Sequence, residues 1–159
     1  MRALWIAAAA TFATDQISKI WVVQALNLRT LGRIEVLPGV LEFRMAWNRG
    51  VNFGLGASGS DLARWALIAM ALAISAWLIW WVRRESHGAW TQAFVGLLAG
   101  GAIGNALDRL LYGAVADFLN VSCCGIANPW SFNLADIGVF VGAIGLALFT
   151  GAGSAKKTP

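Results

Sequence analysis

Four apolar segments, each long enough to cross a lipid bilayer, constrain this chain more than any other feature of its sequence. They run from about residue 3 to 26, 62 to 82, 92 to 112 and 134 to 151. The second holds a single charge near its start, and a helix of its length spans roughly 31 Å, about the thickness of a hydrocarbon core. Backbone groups in lipid must form hydrogen bonds within the protein, so we predict four helices.

The composition agrees with membrane insertion. Hydrophobic residues make up 58% of the chain and charged residues 13%, whereas soluble domains average about 45–50% and 25%. This excludes a water-soluble globule, a disordered tail and a coiled coil. No run of Lys or Arg exceeds two neighbours, which argues against nucleic-acid binding. The adjacent Cys123 and Cys124 and the lone His87 offer neither a disulfide framework nor zinc-ligand spacing.

An even number of crossings places both termini on one side, with loops 27–61 and 113–133 on the other. Basic residues do not settle the orientation by count, but the complete lack of Lys and Arg in 113–133 favours termini in the cytoplasm. The terminal side holds Arg2, Arg83, Arg84, Lys156 and Lys157, and the opposite side holds Arg29, Arg33, Arg44 and Arg49.

The first long loop has a structural pattern of its own. Pro38 and Gly39 form a turn signal, and after them Leu41, Phe43 and Met45 alternate with charged residues. This pattern predicts a small amphipathic hairpin or sheet whose apolar face rests on the membrane surface.

Several ionisable residues lie in or beside the apolar segments, where a charge costs roughly 2.5–3.5 kcal/mol by insertion scales. Asp15 and Lys19 are four residues apart and are predicted to pair across one helical turn. Asp108 and Arg109 point about 100° apart on a helix, so each needs its own partner.

Asp117 and Asp136 are the most informative pair. One follows the third segment and the other begins the fourth, so both are expected at the same membrane face. Two carboxylates held close in a low dielectric share one proton, which allows one to act as a base toward water and the other as an acid toward a carbonyl. Spacing alone leaves two alternatives open, because Asp136 could cap a helix and membrane acids also serve proton relays.

Small residues recur every fourth position in the third and fourth segments, at Gly96, Gly100 and Gly104 and at Gly138 and Gly142. This spacing lets membrane helices pack closely, and it predicts that these two helices bring the two aspartates together.

Four motifs in order carry a family resemblance. They are DQISK at 15–19, WNRGVNFG at 47–54, GGAIGNALDR at 100–109 followed by GAVADF at 113–118, and SFNLAD at 131–136. Together they resemble lipoprotein signal peptidase (signal peptidase II), a family of bacterial membrane aspartic peptidases, and the likeness covers nearly the whole chain.

The resemblance implies an all-α membrane protein in which four transmembrane helices carry a small extracytoplasmic β-rich cradle in the first long loop, all in one domain over residues 1–159. It implies that Asp117 and Asp136 are the catalytic pair and that Asp108 supports them. The other positions that match supporting or substrate-binding residues of the family are Asp15, Lys19, Asn48, Gly54, Asn105, Arg109, Asn133 and Ala135.

The implied substrate is a prolipoprotein whose cysteine carries a diacylglyceryl group, cut just before that cysteine. The implied location is the bacterial cytoplasmic (inner) membrane, with cytoplasmic termini and an active site near the periplasmic face. The expected partners are these substrates and membrane lipids, with no nucleic acid, and the protein is expected to be a monomer that uses no cofactor or metal.

The competing hypothesis is a small proton-coupled transporter with a relay of Asp15, Lys19, Asp108 and Arg109. Inverted repeats are typical of transporters, and the two halves of this sequence show none. A non-enzymatic membrane scaffold would not need so many ionisable residues in its apolar segments.

Overall fold

The protein, in a computed structural model that describes residues 1–50 and 61–151, is mostly helical. Each of the four predicted helical segments is helical. The first helix continues as a π-helix, and a single short helical turn follows it. The helices are α1 (Arg2–Lys19), the π-helix (Ile20–Ala25), α2 (Leu28–Leu31), α3 (Asp61–Arg84), α4 (Ala89–Tyr112) and α5 (Leu134–Gly151).

Among the described helices, α3 and α4 are long and apolar enough to cross a membrane. Their most apolar 18-residue stretches have mean hydropathies of 2.0 and 1.3. Helix α3 leaves Trp65, Trp77 and Trp80 about half exposed, as expected for a surface that faces lipid rather than water. Helix α5 is apolar but shorter, and α1 carries the charges of Asp15 and Lys19, so four membrane crossings remain a prediction.

Helix α4 packs between α1 and α5 and also contacts α3. Gly96 and Gly100 let α4 approach the α1 backbone so closely that an added Cβ would collide with carbonyl oxygens. Gly101 makes the same approach to α5 at Ala135. The predicted close packing of the third and fourth segments is confirmed at Gly101 and Gly142, whereas Gly96 and Gly100 face α1, because α4 lies between two helices and presents small residues to both.

A three-stranded antiparallel sheet lies beside the helices, in the order β1 (Arg33–Leu37), β2 (Leu41–Asn48) and β3 (Val115–Val121). The predicted hairpin is confirmed, and Gly39 has a φ of 71° in its turn, a conformation that favours glycine. The sequence analysis treated 113–133 as a loop, which is wrong for β3. The sheet is therefore built from both long loops rather than from the first alone.

The apolar face of the sheet packs on protein, which corrects the expectation that it rests on the membrane surface. Val22 and Val23 of the π-helix and Leu28 of α2 form one buried cluster with Ala116 and Phe118 of β3. Side chains alternate along a strand, so Asp117, which lies between Ala116 and Phe118, is directed to the opposite face of the sheet. The hydrophobic cluster thus fixes β3 in place and directs the aspartate away from it.

Candidate active site

Asp117 lies in the middle of β3 and is only 3% exposed. Its two carboxylate oxygens accept hydrogen bonds from different amides. Asn48 Nδ2, at the end of β2, donates to Oδ2 at 3.0 Å, and Asn133 Nδ2 donates to Oδ1 at 2.6 Å. The carboxylate is therefore held in one orientation by side chains from two other parts of the chain.

Asp136 lies in the first turn of α5, where its carboxylate has two roles. With Asn133 it forms a reciprocal cap, in which the Asp136 N–H donates to Asn133 Oδ1 at 2.9 Å and the Asn133 N–H donates to Asp136 Oδ2 at 3.2 Å. Its other oxygen accepts a hydrogen bond from Asn105 Nδ2 of α4 at 2.8 Å. The helix-capping alternative is thus observed, and it leaves Asp136 in the same polar cluster as Asp117.

Asn133 joins the two carboxylates. Its side chain donates to Asp117 while its backbone N–H donates to Asp136, and the residue is fully buried. Burial of the Asp117 carboxyl, reinforced by the negative charge of Asp136, raises the pKa of Asp117 to about 6, against the opposing hydrogen bonds from Asn48 and Asn133. Below about pH 6 the Asp117 carboxyl therefore holds a proton beside Asp136.

Arg109 supplies positive charge to this cluster from the last turn of α4. Its guanidinium interacts electrostatically with both Asp117 and Asp136. Among the described residues its buried Nε has no hydrogen-bond partner, and Nη1 makes only a 3.4 Å contact to the Asn105 carbonyl. Within the described residues the guanidinium therefore makes few hydrogen bonds of its own, although it lies near both carboxylates.

A second buried cluster lies behind the first. Lys19 Nζ is 2.7 Å from Asp15 Oδ2, as the sequence spacing predicts, and 2.8 Å from Asp108 Oδ2 on the neighbouring helix. All three side chains are at most 7% exposed. Gln16 Nε2 also donates to both carboxylates, at 3.0 Å and 3.2 Å.

The ion cluster contacts the backbone immediately before each aspartate of the pair. Asp108 Oδ2 accepts a hydrogen bond from the Ala116 N–H at 3.1 Å, and Asp15 Oδ1 accepts one from the Ala135 N–H at 3.0 Å. Because Lys19 lies between Asp15 and Asp108, one cation holds both of the carboxylates that bind this backbone. Asp108, which the family resemblance implies is a supporting residue, therefore contacts the strand that carries Asp117.

The structure brings together nearly every residue that the sequence analysis singled out. Ala135 takes part through its backbone N–H, and Gly54 lies outside the described residues. Sequence reasoning missed Gln16, whose only signal was an amide next to Asp15 within an apolar segment. Cys123 and Cys124 are exposed free thiols remote from both clusters.

Apolar helices that hold two carboxylates in one polar cluster are the arrangement expected of a membrane-associated aspartic hydrolase, and comparison with known proteins gives the family. The family model for signal peptidase II matches residues 7–151, nearly the full length. The chain belongs to the signal peptidase II family of aspartic peptidases.

The alignments with curated relatives span most of this chain and most of each relative. The chain is 41% identical to the lipoprotein signal peptidases of Methylorubrum extorquens and Caulobacter vibrioides, over 90% and 91% of its length and 82% and 85% of theirs. The structure of a bacterial membrane enzyme solved by the in meso method aligns over 100% of this chain and 94% of its own with a TM-score of 0.77 and 25% identity. These likenesses support a membrane protein and do not favour the transporter hypothesis.

Proposed function

We propose that this protein removes signal peptides from diacylglyceryl-modified prolipoproteins, cutting just before the lipidated cysteine with water activated between Asp117 and Asp136. The observation that carries the proposal is the bridge through Asn133, which donates to the buried Asp117 carboxylate from its side chain and to the half-buried Asp136 carboxylate from its backbone N–H. The family membership and the names of the relatives support the substrate class.

The chemistry requires one acid and one base. Asp117, whose pKa is about 6, holds the shared proton and donates it to the carbonyl oxygen of the scissile bond. The Asp136 carboxylate takes a proton from the attacking water, whose oxygen bonds to the carbonyl carbon and gives a tetrahedral diol. When the C–N bond breaks, the proton held by Asp136 passes to the leaving nitrogen, and one hydroxyl of the diol returns its proton to Asp117, which restores the starting state. The enzyme forms no covalent intermediate.

Arg109 and the amides hold the reacting groups in place. The donors of Arg109 bind a substrate carbonyl beside the pair, while Asn48, Asn105 and Asn133 fix the carboxylate orientations. Orientation of this kind reduces the entropic cost of bringing water, carboxylates and peptide together.

The proposed topology has four crossings at about 3–26, 62–82, 92–112 and 134–151, with both termini in the cytoplasm. Loops 27–61 and 113–133 then lie on the periplasmic side, and the carboxylate pair lies near the outer leaflet. A diacylglyceryl group anchored there presents the neighbouring peptide bond to the pair.

Substitution of the pair tests the mechanism. Purified Asp117→Asn and Asp136→Asn proteins in lipid nanodiscs should each cleave a diacylglyceryl prolipoprotein at least about 10³-fold more slowly, because a fixed acid or base contributes roughly 10²–10⁴-fold. Asp61→Asn is the matched control, since this aspartate is 81% exposed at the start of α3 and should leave the rate unchanged. Near-normal cleavage by either asparagine variant would refute the assignment.

Cysteine labelling tests the topology. Cys123 and Cys124 are exposed, so a membrane-impermeant maleimide should label them in intact cells from the periplasmic side. Glu85→Cys, in a background with serine at both natural cysteines, should react only after the inner membrane is opened. The reverse pattern would invert the topology.

Removal of the lipid tests the substrate class. A peptide without the diacylglyceryl group should be cut much more slowly, because each buried methylene contributes about 0.8 kcal/mol to membrane binding and part of that energy also orients the scissile bond. Equal cleavage of the lipidated and unlipidated peptides would contradict the proposed substrate.

A further inference from the structure

The long loop between the first two apolar segments carries more positive charge than a periplasmic loop normally does. An excess of Lys and Arg is typical of cytoplasmic loops, yet four arginines lie between residues 27 and 50. Two of them share one acidic partner within the sheet, because Arg33 and Arg44 both contact the carboxylate of Glu42. The other two need a separate explanation.

Arg29 and Arg49 have no carboxylate within ion-pair distance among the described residues. The segment 51–60, which lies outside them, contains no Asp or Glu. The Arg29 guanidinium instead lies 6.0 Å from the ring centroid of Trp47. Within the described part of the chain, these are therefore two positive charges without an anionic partner.

Both arginines line one cavity of about 390 Å³. Its remaining wall is apolar or aromatic, formed by Trp47, Leu111, Tyr112 and Ala114. The rings of Trp47 and Tyr112 are 5.8 Å apart, so the aromatic part of the wall is continuous. The cavity thus combines two cations with an apolar surface, which is the chemistry of an amphipathic anion.

The position of the cavity indicates which kind of amphipathic anion it can bind. Leu111 and Tyr112 are the last two residues of α4, a helix long enough to cross the membrane, and they are 60% and 49% exposed. Trp and Tyr side chains at the end of a crossing lie at the level of the lipid headgroups. Two exposed arginines on the same cavity give it more positive charge than an aromatic belt alone supplies.

We propose that this cavity binds the headgroup of an anionic membrane phospholipid. Arg29 and Arg49 pair with its phosphate, since guanidinium groups match phosphate oxygens in charge and geometry. Trp47, Leu111 and Tyr112 pack against the glycerol and the first methylenes. The proposal rests on the proposed membrane crossing of α4 and is independent of the peptidase mechanism, because the cavity wall contains neither aspartate of the pair.

Native mass spectrometry of the full-length protein, titrated in detergent with phosphatidylglycerol or phosphatidylcholine, measures this site directly. The wild-type protein should bind the anionic lipid more tightly. Arg29→Gln/Arg49→Gln should weaken phosphatidylglycerol binding by about 30-fold, because each basic side chain beside an anionic lipid contributes roughly a factor of five. Thermal unfolding of each variant checks that the fold is retained.

Arg33→Gln/Arg44→Gln is the matched control. It removes the same charge from the same loop, but at arginines that already contact Glu42, so phosphatidylglycerol binding should stay close to the wild-type value. Unchanged binding by Arg29→Gln/Arg49→Gln would overturn the proposal, as would an equal loss in both double variants. Competition by soluble glycerol phosphate at the same concentration as the lipid would show a site for free phosphate and would also overturn the lipid assignment.

Discussion

Replacing Lys19 by methionine should destabilise this protein more than the loss of any exposed ion pair. Methionine keeps the unbranched apolar stem but removes the cation between Asp15 and Asp108, whose side chains are 0% and 1% exposed. Both carboxylates would then face each other in a buried site without a countercharge. The same change loosens the hydrogen-bond acceptors of Ala116 and Ala135, so the effect should reach the candidate active site.

The magnitude follows from the number of partners. Removing one member of a buried ion pair lowers the free energy of unfolding by about 3–5 kcal/mol. Lys19 forms ion pairs with two carboxylates, so we expect a loss at the upper end of this range, about 5 kcal/mol. In a chain of this size 1 kcal/mol shifts Tm by roughly 2–4 °C, which gives a loss of about 10–20 °C. The fluorescence of the nine tryptophans during heating in detergent provides the measurement.

A second variant separates the lost charge balance from lost packing. In Asp15→Asn/Lys19→Met only Asp108 stays charged, and the new amide oxygen can still accept from the Ala135 N–H, so the double variant should recover about half of the lost stability. Arg33→Met is the control, because its ion pair with Glu42 is exposed and should contribute at most about 1 kcal/mol.

The cleavage rate provides an independent readout. Below its Tm, Lys19→Met should show a lower kcat with little change in KM, since the ion cluster contacts the backbone beside the aspartates and not the substrate. A Tm near the wild-type value, or a double variant less stable than the single one, would refute the reasoning about an uncompensated buried charge.

Three further predictions concern pH, packing and thiols. The folded-state pKa of Asp117 is about 6, against an ordinary 3.8, so protonation of this carboxyl stabilises the folded state. This stabilisation is complete below about pH 4 and is lost as the pH rises through 6. The free energy of unfolding should therefore fall between about pH 4 and 6 in the wild-type protein but not in Asp117→Asn. Gly104→Ala should cost about 1–3 kcal/mol in thermal unfolding, because its Cβ would lie 2.9 Å from Asp15 Oδ2, whereas Gly88→Ala, with nothing within 4 Å, should be neutral. Replacing both cysteines by serine, or adding a chelator, should leave cleavage intact, and a loss that zinc restores would contradict an aspartic mechanism.

The sequence predicts those contacts of the site that depend on local spacing. Asp15 and Lys19 pair across one turn because residues four apart share a helix face, and Asn133 and Asp136 cap a helix because they are three apart at its start. Asp108 as the second partner of Lys19 could not be predicted, since that contact depends on how α4 lies against α1.

Strand β3 is a second feature that the sequence alone does not predict. Val115–Val121 carries a central aspartate and follows a helix with only Gly113 and Ala114 between them, so its local pattern resembles a loop. It becomes a strand because β2 supplies the hydrogen-bonding edge and the buried cluster accepts Ala116 and Phe118. The motifs in the sequence are enough to propose the aspartate pair, whereas the strand that holds Asp117 in position depends on the tertiary structure.

The π-helix at Ile20–Ala25 has a consequence for how this region can change in evolution. A π-helix holds about one residue more per turn than an α-helix, so over this length it turns the following side chains by roughly 100° relative to those before it. The residues up to Lys19 can therefore face α4 while Val22 and Val23 face the sheet. Deleting one residue here would restore regular helix and swing the two valines off their cluster, whereas exchanging one valine for isoleucine would not. We therefore expect this segment to tolerate a change of side chain better than a change of length.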